Sequence, residues 1–168
     1  VSLLTRKDPV RAREMIISLS EFLRYSLKYD ENEMTTFREE LSNMDRYLEI
    51  EKIRFGDKLK YKKEVDENIL SEKVPNMILQ PLFENAVKHG VYESIEPITI
   101  ELFAKKTKGN LEISLKNNFD PEAIGRKGAG IGLKNTSERL HLLYGKSPLV
   151  YVSSKNGVFE VTLKIPKD

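Results

Sequence analysis

Polar and apolar positions first change period at about residue 57. Before it, Val10, Met15, Ile16, Leu19, Phe22, Leu23 and Leu27 fall on one stripe at helical spacing. Asp8-Pro9 stands just ahead of that stripe as a start signal. An aspartate accepts from the free N–H groups of a first helical turn, and proline suits the first helical position. The acidic run at 30–33 interrupts the pattern, and a second helix is predicted from Thr36. Thr36 and Glu39 have capping-box spacing, the next stripe holds Leu41, Met44, Tyr47 and Leu48, and Gly56 is a stop signal. Two amphipathic helices with a short join predict an antiparallel hairpin. Neither stripe can be buried by the other alone, so a second copy or the following domain has to cover the remainder.

Beyond the hairpin the period drops to two. Leu59, Tyr61, Lys63 and Val65 alternate as in a strand. Residues 75–89 predict a mostly apolar helix with Pro81 inside it. Ile98, Ile100, Leu102 and Ala104 alternate, as do Leu111, Ile113 and Leu115, which predicts a β-hairpin turning within 105–110. A Gly-, Asn- and Asp-rich loop occupies 117–130, followed by a helix over 131–144 with Leu133, Leu140 and Leu143 inward. Strands at 149–153 and 158–165, joined by a turn at Lys155-Asn156-Gly157, end the chain. The sum is an α+β protein: a helical hairpin over 1–56 and a two-layer α/β domain over 57–168.

Composition narrows the chemistry. The net charge of +2 creates no electrostatic demand for a nucleic-acid partner, and none is expected. The absence of cysteine removes disulfides, thiolate metal sites and cysteine nucleophiles, and fits a reducing compartment. No apolar run approaches the roughly 20 residues of a membrane span, and the apolar part of the first residues is too short for a signal peptide. A start at Val1 rather than Met reads as a cut inside a longer protein.

Two segments carry candidate chemistry. Gly128-Ala129-Gly130-Ile131-Gly132-Leu133 places glycines at alternate positions where a helix opens. Such glycines admit a ligand close to the backbone, and the helix start offers N–H groups and partial positive charge to phosphate. No Gly-Lys-Ser or Gly-Lys-Thr follows, so it is not a P-loop. A flexible loop ending in a helix start explains the same residues. Leu82-Phe83-Glu84-Asn85-Ala86-Val87-Lys88-His89-Gly90 places Glu84, Asn85, Lys88 and His89 within about one and a half helical turns, so several can face one cleft. Asn85 offers a neutral oxygen for a hydrated Mg²⁺ that also touches phosphates, and Lys88 offers a point charge. A polar helix end with Lys88 and His89 complementing the dipole is the plainer alternative.

Together the two segments resemble the N box and second glycine box of the histidine-kinase ATPase family, the Bergerat fold. The resemblance extends over the chain. Asp8-Pro9, Arg11-Ala12-Arg13-Glu14 and Leu23-Arg24-Tyr25-Ser26-Leu27 are similar to the helix after the phosphoacceptor in LytS-like sensor kinases. Glu40-Leu41, Tyr47-Leu48-Glu49-Ile50-Glu51-Lys52 and Arg54-Phe55-Gly56 are similar to its second helix. Leu79-Gln80-Pro81-Leu82, Gly132-Leu133-Lys134-Asn135, Glu138-Arg139-Leu140 and Tyr144-Gly145 match the same subfamily. The resemblance implies a mixed-sheet sandwich that binds ATP and Mg²⁺. It implies Asn85 as the Mg²⁺ residue and Lys88 near the phosphates. Gly128, Gly130, Gly132 and Leu133 would lie on the phosphate side, under a lid at 119–127. Glu84 and His89 take the catalytic positions of the box, Glu84 to polarise or orient and His89 to line the pocket. Arg139 is a candidate for phosphate or partner contact, or a plain surface charge.

Two departures stand out. The family's acceptor histidine lies in an Asn-Pro-His-Phe-type segment, and the chain's only histidines are His89 and His141. The first glycine box usually begins with an Asp on the adenine amino group, where this chain has Asn117. An amide oxygen can accept from that amino group without full charge. Gyrase- and chaperone-type relatives also carry a water-activating Glu at the position of Pro81, which disfavours a hydrolase. The implied activity is protein-histidine kinase, inactive in autophosphorylation within these residues. The implied partners are a response regulator and a second copy through the hairpin. The implied setting is the cytoplasmic part of a bacterial membrane sensor, anchored only through a segment ahead of Val1. The alternatives are an anti-sigma-type serine kinase and a non-catalytic dimerisation module.

Overall fold

The computed structural model of the chain describes residues 5–6, 8–27, 33–92, 94, 96–119, 131–145 and 149–167. Helix α1 (Pro9–Leu27) begins where predicted, and Asp8 Oδ1 accepts from Arg11 N at 3.0 Å. A three-residue strand, β1 (Met34–Thr36), runs into helix α2 (Phe37–Phe55). The capping box is formed in full: Thr36 Oγ1 accepts from Glu39 N, and Glu39 Oε2 accepts from Thr36 N. Gly56, at φ 57°, ends the helix as expected. Strand β2 (Leu59–Val65) follows, then β3 (Lys73–Pro75), which pairs antiparallel with β1.

The predicted helix over 75–89 needs correction at its start. Pro75 belongs to β3, residues 76–79 form a turn, and α3 spans Gln80–Ala86. Pro81 thus lies in the first turn, where its missing N–H costs nothing. The chain then widens into a π-helical turn, Val87–Tyr92, a form frequent at functional sites. Strands β4 (Ile98–Thr107) and β5 (Asn110–Asn118) make the predicted hairpin, tightened to a turn at Lys108-Gly109 with Gly109 at φ 73°. Helix α4 (Ile131–Tyr144), β6 (Val150–Lys155) and β7 (Val158–Pro166) complete the chain. Leu143 is exposed rather than inward, and Thr136 is buried instead.

The main sheet has the order β2-β4-β5-β7-β6. Only β2–β4 is parallel among its pairs, so the sheet is mixed. One face is apolar row by row: Ile113 sits opposite Ala104 on one side and Leu163 on the other, and all three are buried. Leu82, Phe83 and Ala86 of α3 and Leu140 of α4 pack over that face. The same core takes in Phe37, Leu41, Met44 and Leu48 of α2. Each such side chain, fully buried, contributes about 1.5–3 kcal/mol relative to exposure. The hairpin's second stripe is therefore covered by the following domain. On α1, Ala12 is the buried residue, while Phe22 stacks on Tyr47 of α2 with ring centroids 5.6 Å apart. No described helix is long and apolar enough to cross a membrane.

Candidate functional site

A groove of about 280 Å³ separates α3 and its π-helical extension from the start of α4. Its walls are Pro81, Glu84, Asn85, Lys88 and His89 on one side and Ile131, Gly132 and Leu133 on the other. The local sequence explains the placement. Leu82, Phe83, Ala86, Val87 and Val91 turn into the core, which leaves Glu84, Asn85, Lys88 and His89 on the opposite side of the same helix. Glu84 is exposed and its Oε1 accepts from Gln80 Nε2 at 2.7 Å. Asn85 and His89 are half-buried and Lys88 is exposed. A second recess of about 430 Å³ shares Pro81, Glu84 and Gly132 with the first and runs along α4 past Arg139.

Glycines at the site have different reasons to be there. A Cβ on Gly90 would stand 3.1 Å from both Asn117 Nδ2 and Ile98 Cγ2, so a side chain there fits only if these two give by a few tenths of an ångström. A Cβ on Gly132 would meet only Pro81 Cβ, at an ordinary 3.6 Å. Packing within the described protein does not demand glycine at 132. Gly128 and Gly130, and the expected lid at 119–127 apart from Phe119, lie outside the described residues.

Asn117 is the anomaly of the sheet. It follows Leu111, Ile113 and Leu115 on the buried face of β5 and is itself 3% exposed, beneath Gly90. Its Nδ2 donates to Asn118 O at 3.0 Å. A buried amide at the end of an aliphatic row breaks the pattern that the rest of the strand obeys, and such breaks concentrate at functional sites. Asn117 does not line the groove; it lies next to the π-helical turn, one residue beyond His89.

The sequence reading missed Glu40. On α2 it interrupts the stripe Phe37, Leu41, Met44, and it is fully buried. Its Oε1 accepts from Tyr25 Oη at 2.5 Å and from Met77 N at 2.7 Å, and its Oε2 accepts from Leu79 N at 3.1 Å. Burial pushes this carboxyl up, opposed by the bonds from Tyr25, Leu79 and Met77 and by the charge of Arg139. Arg139 Nη1 donates to Asn76 O at 2.6 Å, so this guanidinium is engaged by the protein rather than being a plain surface charge. A recess of about 330 Å³ on the other face of the sheet carries no comparable convergence. Its Glu160 is already met by Ser114 Oγ at 2.5 Å and Lys116 Nζ at 3.4 Å.

This architecture is shared with histidine-kinase catalytic domains. The catalytic domain of histidine kinase ThkA superposes with a TM-score of 0.60 at 14% identity, over 80% of this chain and 96% of that one. Acinetobacter baumannii histidine kinase AdeS superposes with a TM-score of 0.59 at 12% identity, over 93% and 75% of the two chains. The likeness defines the fold: a two-layer α/β sandwich with a mixed sheet, of the Bergerat type. Sequence narrows it. The histidine kinase family model matches residues 1–59. Sensor histidine kinase YpdA of Escherichia coli (strain K12) is 32% identical over 155 residues, which is 87% of this chain and 27% of that protein. Sensor protein LytS of Bacillus cereus is 29% identical over 180 residues, which is 99% of this chain and 31% of that protein. The chain is similar to these sensor histidine kinases, and it spans less than a third of the length of the two.

Proposed function

We propose that this chain is the ATP-binding catalytic portion of a two-component sensor histidine kinase. The observation that supports it best is the groove, where the polar side of α3 faces the start of α4 across Gly132. In this reading Asn85 contributes a neutral oxygen to Mg²⁺. Among the described residues no cluster of three His, Asp or Glu could hold a metal, so the cation would take its other ligands from phosphates and water. Lys88 places a positive charge beside the phosphates. The first N–H groups of α4, at Gly132 and Leu133, donate to phosphate oxygens, with Gly128 and Gly130 extending that cradle. The indifference of the protein to a Cβ at 132 fits a glycine kept for a ligand. Asn117 accepts from the adenine amino group through its amide oxygen. Glu84, braced by Gln80, orients the reacting groups, and His89 lines the pocket.

The reaction transfers the γ-phosphoryl to an imidazole nitrogen. An N–P bond forms as the bond to the β-phosphate oxygen breaks, and ADP leaves. Such a transfer needs near in-line placement of nucleophile and phosphate. His141 is exposed on α4 and not a groove residue, and His89 is a wall of the groove. Neither is the acceptor in this reading; it is a histidine of the protein outside these residues. From it the phosphoryl passes to a response regulator. The apolar residues left exposed on α1, among them Ile16, Ile17, Leu23 and Leu27, form the contact of a homodimer. In this reading the whole protein is held at a membrane.

Titration with a fluorescent ATP analogue, with and without Mg²⁺, tests the site. Asn85→Ala should weaken Mg²⁺-dependent binding by about tenfold or more, the scale of a lost charge-assisted ligand. Equal binding by both proteins in both conditions overturns the Asn85 assignment. Incubation with γ-labelled ATP should leave these 168 residues without acid-labile, base-stable label. Stoichiometric label overturns the acceptor assignment.

A further inference from the structure

The turn at 76–79 leads directly into α3, so its position fixes where Gln80, Glu84 and Asn85 stand. That turn is not self-supporting. Met77 sits at φ 57°, a left-handed conformation that costs a non-glycine residue energy unless its surroundings hold it. Leu79, at the head of α3, makes no side-chain cap. The holding groups come from elsewhere in the sequence. Glu40 of α2 receives both Met77 N and Leu79 N, and Arg139 of α4 donates to Asn76 O. Tyr25 of α1 donates to the same Glu40 oxygen that receives Met77 N. A fully buried carboxylate in an aliphatic stripe is costly, and an apolar residue of similar size would serve packing at least as well. Three donors aimed at it, two of them backbone groups of one strained turn, give it a different task.

We propose that Glu40 is a positioning residue for nucleotide binding, and that the Tyr25 hydroxyl sets how firmly it holds, which links the first helix to the groove through one carboxylate. The inference rests on the ATP-binding reading above. Its mechanics are local. When α1 shifts on α2, Tyr25 Oη leaves Oε1, the bond to Met77 N changes strength, and the turn feeding α3 is released or tightened. The link is graded because Leu79 N stays bound to the other oxygen.

The test uses the full 168-residue chain, a fluorescent ATP analogue and Mg²⁺. Glu40→Gln should bind about tenfold more weakly, and Tyr25→Phe about threefold to tenfold, the scale of hydrogen bonds to a charged group. In both variants the amide resonances of Met77, Leu79 and Asn85 should move, while circular dichroism stays unchanged. Phe22→Leu loosens the same helix pair through the Tyr47 contact without touching Glu40, and should leave affinity unchanged. Should Glu40→Gln fail to fold, Tyr25→Phe decides alone. Wild-type binding with unchanged affinity in Tyr25→Phe overturns the positioning role and leaves the nucleotide reading standing. An affinity loss in Phe22→Leu equal to that of Tyr25→Phe also overturns it, since general loosening would then suffice. No binding by the wild-type chain overturns both readings.

Discussion

Helices α1 and α2 have the same length, lie against each other and read alike as amphipathic stripes, yet the protein uses them differently. On α2 the buried residues include Phe37, Leu41, Met44 and Leu48, all part of the core that supports the sheet. On α1 Ala12 is the buried residue, and Val10, Ile16, Ile17, Leu23 and Leu27 remain exposed. Amphipathicity says that a stripe will be buried, not by what. The second helix shares its core with the sheet; the first is attached to the second by Phe22, by an Arg46–Glu21 ion pair at 2.8 Å and by Tyr25 on Glu40. An element with so few buried contacts opens at lower free energy than the core.

The largest effect expected from this difference is in stability. Met44→Ala should lower the unfolding free energy by about 2–5 kcal/mol, the range for a buried methionine, whereas Leu23→Ala should stay within about 0.5 kcal/mol. Urea denaturation of both variants checks it, and comparable losses would erase the distinction. Self-association should show the reverse order. Leu23→Glu should weaken dimer formation about tenfold or more by placing a charge on the exposed stripe, with no loss of monomer stability. Analytical ultracentrifugation over a concentration series reads this, and an unchanged dimer constant would remove α1 from the interface.

The caps extend the comparison at smaller scale. Thr36→Ala removes the capping box of a core helix and should cost about 1 kcal/mol. Asp8→Ala removes a cap from a helix that opens separately, so it should leave the global denaturation midpoint nearly unmoved and raise exchange only at the first amides of α1. The smallest effect is in pH. Bonds from the Thr35 hydroxyl, then from Thr36 N–H and its hydroxyl, hold the Glu39 carboxyl down at about 2 against an ordinary 4.5. A carboxyl lowered by folding adds stability above its unfolded value and loses it as pH falls. Between pH 4.5 and 2 the wild-type chain should therefore lose more stability than Glu39→Gln. Parallel acid limbs would show that the exposed cap contributes nothing measurable, as many exposed pairs do.

What could be read from the sequence was what has a period or a local partner. Thr36 and Glu39 announced a helix start because both halves of the box lie within one turn, and the alternation of Leu111, Ile113 and Leu115 announced β5. The polar side of α3 was also legible, because Glu84, Asn85, Lys88 and His89 interrupt an apolar helix at helical spacing. Strands β1 and β3 were not legible: three residues hold no period, and what defines them is each other, at Thr35 opposite Val74. For the same reason the start of α3 was placed too early. On α4 Leu140 is buried as expected, but Leu143 is exposed and Thr136 is buried, its hydroxyl donating to Gly132 O at 2.9 Å. Glu40 left a faint signal, a charge between Phe37 and Leu41 on a buried face. Its partners lie far along the chain, so the signal could not say what it bound.

The lone parallel ladder sets the order in which the molecule can assemble. The β4–β5 hairpin closes across the Lys108-Gly109 turn as soon as both strands exist, at little entropic cost. Strand β2 cannot do so. Its Leu59 pairs with Ile98, and between them lie β3, α3 and the π-helical turn. A parallel neighbour has to be reached by a crossover, and contacts this distant in sequence slow folding. On the ribosome β2 emerges early and waits as an unpaired edge until the segment carrying Asn85 and then β4 have followed it. When it docks it closes that segment into a loop against the sheet. Docking of β2 and placement of the α3 wall of the groove are therefore one event, and a chain stalled before β4 presents neither.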